Sequence, residues 1–304
     1  MGIYNYSPDY RLLVVGDGYR IHTLYYVLSN SWCKPRRSAS TVRKNKFSHS
    51  IIVLSRGCQI EKTSLETHKE YFEALNTFML ENDIFLHISR GSNDDPSMFA
   101  KDSIPYERII LMEDYSLINI GEKGVLCIGG SVSLNRDWKL EKDGSFGAPR
   151  YYKNEKTEFK KEELDQITSS NSNIYCVISN MPPLSKISDF FMKWLNSQNM
   201  TPTASIGRYQ TFFKDNNWIK QNNEVEKDVV KQMLVSDDIY NFLKVKGINL
   251  KKWCFTFSLL VGNSIDFYDV TKFVLMPKLK FNEVNFNEEE HEEYGDLNSL
   301  EWFL

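Results

Sequence analysis

The sequence holds few of the residues that build metal centres or covalent frameworks. There are five histidines in 304 residues (His22, His49, His68, His87 and His291) and five cysteines (Cys33, Cys58, Cys127, Cys176 and Cys254). The cysteines stand singly, with no C-x-x-C spacing, which argues against a disulfide scaffold or a zinc cluster and for a reducing compartment. Three of them lie in or beside apolar runs, where a thiol behaves as a small buried hydrophobe. No apolar run approaches the roughly 18 residues that span a bilayer, so no membrane association is expected. The opening MGIYNYSPDYRLLVV offers no basic stretch followed by an apolar core, and no signal peptide is expected. The formal net charge of −3 leaves no global field to recruit nucleic acid. A basic stretch (Lys34, Arg36, Arg37, Arg43, Lys44, Lys46) is interleaved with Ser and Thr rather than aromatics, and reads as a solvated loop.

What is present is ample core material: 41% of the residues are hydrophobic, which argues against disorder. Buried strands are expected at Leu12–Val15, Ile51–Leu54 and Ile84–Ile88, with a helix over Glu66–Leu80. The segments 108–112, 117–120 and 124–128 follow closely, as in a strand meander. Further on, helices are expected at 160–167, 187–195 and 225–245, and strands at 174–178, 253–260 and 272–275. Alternation of this kind indicates an α/β fold. The economical division is one domain over 1–280 and a C-terminal tail over 281–304. That tail carries the acidic run Glu288 to Glu293 and ends in Trp302, Phe303 and Leu304. Charge repulsion extends such a run, while the apolar end seeks a groove on its own domain or on a protein partner.

Short polar motifs follow the expected strands, where an α/β sheet presents its functional loops. They are Gly16-Asp17-Gly18, Ser55-Arg56-Gly57, Arg90-Gly91-Ser92-Asn93-Asp94-Asp95-Pro96, Gly129-Gly130-Ser131 through Arg136, and Ser179-Asn180-Met181-Pro182-Pro183. In this order the set resembles the calcineurin-like metallophosphoesterases. Their pattern runs GDxHG, GDxxD or GDF, GNHD, a glycine-rich segment, a lone His before a small residue and proline, and GHxH. The resemblance covers about residues 10–280. It implies a four-layer sandwich of two mixed β-sheets flanked by helices. It also implies a vestigial site at Asp17, Tyr19, Arg56, Asn93, Asp94 and Asn180.

Two-metal hydrolysis needs a bridging carboxylate and several neutral imidazoles to hold the cations and generate hydroxide. In this chain Tyr19 stands for the first His, Arg56 for the bridging Asp, Ser92-Asn93 for Asn-His, Asn180 for the lone His, and Phe257 and Leu259 for the two His of GHxH. No metal, cofactor or catalytic residue is therefore expected. Arg56 is expected to reach Asp17 or Asp94 as a replacement charge, and Asp95-Pro96 to start a turn. The expected function is that of an inactive pseudoenzyme acting as a structural or protein-interaction component. Two alternatives stand beside it: a nucleotide- or phosphate-binding module using Arg56, Arg90 and Arg136, and a residual phosphoesterase with one metal at Asp17 and Asp94. Usage rich in Asn, Lys and Ile fits an AT-rich genome such as a bacteriophage's, hence a cytoplasmic or virion component. The sequence does not fix the oligomeric state.

Overall fold

Runs such as Leu12-Leu13-Val14-Val15 and Ile51-Ile52-Val53-Leu54 have no polar face to turn to water, so strands built from them must be covered on both sides. A computed structural model of the chain describes residues 1–15, 21–30, 45–55, 60–92, 94–100, 103–132, 152–181, 183, 185, 224–255, 267–269, 274–275 and 301–303. It shows how the covering is done. The strands are β1 (Gly2–Tyr6), β2 (Arg11–Val15), β3 (Ser50–Leu54), β4 (Ile84–Ser89), β5 (Ile109–Met112), β6 (Tyr115–Ile120), β7 (Lys123–Ile128), β8 (Ile174–Ser179), β9 (Lys252–Phe255), β10 (Phe267–Asp269), β11 (Val274–Leu275) and β12 (Glu301–Phe303). The helices are α1 (Ile21–Ser29), α2 (Lys62–Thr67), α3 (Lys69–Asn82), α4 (Lys161–Ser170) and α5 (Glu224–Val245).

The strands form two six-stranded sheets, ordered β1-β6-β7-β8-β9-β12 and β11-β10-β2-β3-β4-β5. Both are mixed. In the second, β2 to β5 pair parallel while β10 and β11 join antiparallel. In the first, β7, β8 and β9 pair parallel, β1 pairs parallel with β6, and β6–β7 and β9–β12 are antiparallel.

Side-chain alternation sorts the layers. Leu13, Val15, Ile52, Leu54, Leu86 and Ile88 pack with Leu24 and Leu28 of α1 and with Phe72, Leu75 and Met79 of α3. Their neighbours Leu12, Val14, Ile51 and Val53 meet Ile118, Val125, Cys127, Cys176, Ile178 and Cys254 of the other sheet. The intervening residues Leu117, Leu126, Val177 and Trp253 are buried on the first sheet's outer side, as are Leu164 and Ile167 of α4. The result is the helix–sheet–sheet–helix order that the sequence leads one to expect.

Two expected elements change shape. The helix expected over 66–80 is interrupted at His68, which caps both α2 and α3, and α3 runs on until Asp83 adopts the left-handed conformation (φ 53°). A short acidic side chain tolerates that conformation and stops the helix there. The tail's end also re-enters the fold: β12 pairs with β9, Trp302 opposite Trp253. The expected helix over 187–195 lies outside the described residues. Among the described residues, no helix is long and apolar enough to cross a membrane.

Candidate functional site

Parallel strands running the same way deliver their following loops to one end of the sandwich. There the loops after β3, β4, β7 and β8 meet. Of the expected site residues, Asp94 and Asn180 are described; Asp17, Tyr19, Arg56, Asn93, Arg136, Phe257 and Leu259 lie outside the described residues, as does Leu304. Trp302 and Phe303 sit in the backbone of β12, at the edge of the first sheet.

Asp94 is fully buried, and both its oxygens serve the backbone. Its Oδ2 accepts the Gly91 N–H at 2.7 Å and its Oδ1 the Ile60 N–H at 2.9 Å. The Asp95 N–H then donates to Ile60 O at 2.7 Å. Asp94 thereby staples its own loop to the one that follows β3. Asp95 accepts from Ser97 N and Oγ at 2.9 and 2.7 Å and opens the 3-10 turn Pro96–Met98, as the Asp-Pro pair predicts.

Asn180 is also buried. Its Oδ1 accepts from the Ser131 hydroxyl, and its Nδ2 points to Ser55 O at 3.4 Å. The ends of β3, β7 and β8 are thus bridged by one amide and two serines. Next to it, the Trp253 indole N–H donates to Ser179 Oγ at 2.8 Å, and that hydroxyl donates to Met181 O at 2.7 Å.

The binding-module alternative assigns Arg90 an anion contact, whereas the structure engages this side chain within the fold. Its guanidinium grips Asp114 through Nε and Nη2, both at 2.8 Å, while Nη1 donates to Asn154 O at 2.9 Å. Only 3% of the side chain is exposed, so the fork is committed to a planar, two-bond internal pair. Asp114 lies far from Arg90 in sequence, and no spacing rule joins them.

The glycine-rich segment also has a packing cause. A Cβ on Gly129 would stand 2.6 Å from Asp114 Oδ1, and one on Gly130 would stand 2.7 Å from Thr157 N. Gly130 also has φ +100°, open to glycine and costly for other residues. The bare backbone admits the strap 152–158: Ser131 N–H donates to Glu155 O at 2.8 Å and Thr157 Oγ1 to Gly129 O at 2.9 Å. Helix α5 pins the strap from outside. The Gln232 amide brackets the Thr157 backbone at 2.6 and 2.7 Å, and Lys156 Nζ reaches the buried Asp228 carboxylate at 2.6 Å.

The nearest titratable groups of note lie inside the sandwich. His87, fully buried in β4, accepts or donates one bond with Tyr6 OH at 2.6 Å, and its Nδ1 has no partner among the described residues. Burial pushes its pKa down to about 3, so it is neutral. Burial raises the thiols of Cys127 and Cys176, and Cys176 Sγ lies 3.9 Å from Cys254 Sγ. Lys252, on the same side of β9 as Cys254, is buried with its pKa lowered to about 8 by desolvation.

Among the described residues no three His, Cys, Asp or Glu side chains converge on a point that could hold a metal. A scan against protein-family models and searches of curated proteins and of solved structures find no match to this chain.

Proposed function

We propose that this chain is a catalytically inactive protein on a metallophosphoesterase-like scaffold, serving as a structural or protein-interaction component such as a phage virion or assembly protein would need. The observation that carries the reading is the engagement of Asp94 and Asn180. At positions where the resembled family keeps metal and substrate groups, both side chains hold neighbouring loops together. A carboxylate that accepts two backbone N–H groups is anchored by them to its loops, and an amide shared by two strand ends is a brace. The substitutions at Tyr19, Arg56 and Asn93 point the same way.

The partner-facing element in this reading is the sheet edge at β12. A terminal strand offers one row of backbone N–H and C=O groups to an added strand, and Glu288 to Glu293 lead into it. Two measurements test the proposal. Turnover of phosphomonoesters and diesters is measured with added manganese, nickel or zinc; rates at background are expected, and activity abolished by Asp17→Ala refutes the inactive reading. Deletion of residues 287–304 is then compared with the full chain by melting temperature and by cross-linking in the native host. Loss of a cross-linked partner with an unchanged melting temperature supports the interaction edge; a lowered melting temperature with the same partners shows that the strand serves only its own sheet.

A further inference from the structure

At the other end of the sandwich, away from the strand-end loops, a histidine stands between two carboxylates. His49 immediately precedes β3 and has φ 58°. Its Nδ1 is 2.7 Å from Asp83 Oδ2, and its Nε2 is 2.9 Å from Asp9 Oδ2. The ring stacks on Tyr10, centroids 4.0 Å apart. Asp83 terminates α3, whereas Asp9 and Tyr10 form the turn between β1 and β2. That turn is where the chain passes from the first sheet to the second.

Both carboxylates are acceptors. Tyr10 OH donates to Asp83 at 2.8 Å and Arg108 Nη1 at 3.1 Å. Although partial burial works the other way, hydrogen bonds from His49, Tyr10 and Arg108 hold the Asp83 carboxyl below its ordinary range. Asp9 is held down by its Ser7 and His49 bonds. A neutral imidazole has one N–H and one lone pair, so it cannot donate to two carboxylates. Only the imidazolium satisfies both contacts.

We propose that His49 is a proton-dependent latch: doubly protonated, it ties the β1–β2 turn to the α3–β4 junction, and on losing its proton it releases Asp9. The charges around it agree. Asp9 and Asp83 face His49, Asp83 and Glu107 face Arg108, and Arg11 Nη1 donates to Lys46 O at 3.1 Å. Asp9 is the partner released because it is the more exposed carboxylate and lacks the tyrosine and arginine donors that hold Asp83. The hydrogen bond to Asp83, then that to Asp9, raise the His49 pKa against desolvation. By sign, the latch adds stability below the ordinary histidine range, and this is lost as pH rises through the raised value.

The test uses the full chain labelled with 15N at histidine. Long-range 1H–15N spectra are recorded against pH, with His49→Asn identifying the resonances. At pH of about 6.5, where an ordinary histidine is half protonated, the imidazolium of His49 should predominate. Asp9→Asn should move its midpoint down. Hydrogen exchange of the β1–β2 turn, corrected for intrinsic rate, should lose protection as pH rises through that midpoint. In Asp9→Asn, the protection should already stand at its high-pH level at acidic pH. A midpoint at or below the ordinary value, a midpoint unmoved by Asp9→Asn, or turn protection independent of pH overturns the latch.

Discussion

The two ends of the sandwich solve the same problem in opposite ways. Each must join loops from both sheets. At the carboxyl ends of β3, β4, β7 and β8 the described joints are sealed: Arg90, Asp94 and Asn180 are buried, Arg90 bonded to the partly buried Asp114, Asp94 to backbone N–H groups and Asn180 to Ser131. At the amino ends the joint is a half-exposed cluster around His49, with Asp9 65% accessible. Solvent screens and replaces contacts at the second end, so they are individually weak. At the first end Arg90, Asp94 and Asn180 are shielded from solvent, and deleting a partner of one of them leaves a buried group unsatisfied. One end is therefore fixed and the other adjustable by proton concentration.

The contrast can be broken most forcefully at Arg90. Arg90→Met strands the Asp114 carboxylate and two strap carbonyls, and should cost about 3 kcal/mol in denaturant unfolding. Adding Asp114→Leu should recover part of that loss. A change below about 0.5 kcal/mol, the size of an ordinary surface substitution, would mean the sealed end is not sealed. Gly130→Ala comes next. It forces a left-handed alanine against the Thr157 backbone, at an expected cost of about 2 kcal/mol. A melting temperature equal to wild type would show that the strap yields freely.

His87 has the smallest effect at neutral pH and sharpens the comparison through its sign. Its pKa is depressed to about 3, so the unfolded chain takes up its proton first as pH falls. Stability is full above the ordinary histidine value and declines as pH drops from there toward about 3. His49 acts in the reverse direction, its contribution disappearing as pH rises. His87→Gln should flatten the acid limb of a stability–pH curve and leave the alkaline limb unchanged. An acid limb as steep as in the wild type would remove His87 from the account.

Much of the fold is legible in the sequence because the central strands are buried on both faces. Leu12–Val15, Ile51–Leu54 and Ile84–Ile88 announce themselves as apolar runs, and β8 does so at 174–178. Strand β1 is missed for the converse reason. In Gly-Ile-Tyr-Asn-Tyr the exposed position carries the isoleucine, while tyrosines fill the interior, so polarity and burial do not alternate together. The strap at 152–158 reads as a polar loop (Tyr-Lys-Asn-Glu-Lys-Thr-Glu), and its bonds to Gly129, Ser131, Arg90 and Gln232 give it a role. The strand-end motifs do mark where loops converge. Their letters do not reveal that Asp94 and Asn180 face inward to brace, because a motif fixes residue type and not the direction of a side chain.

The thiols between the sheets give the fold an internal clock. Cys127, Cys176 and Cys254 form no disulfide and sit on the faces that the two sheets press together. A thiol there is buried out of reach of solvent, and only an exposed thiolate reacts with an alkylating reagent. Each labelling event at these three positions therefore records a separation of the layers rather than fraying of a loop. The rate at which these three positions, resolved from Cys33 and Cys58 by peptide mass, become alkylated counts how often the sandwich opens, with no probe added to the chain.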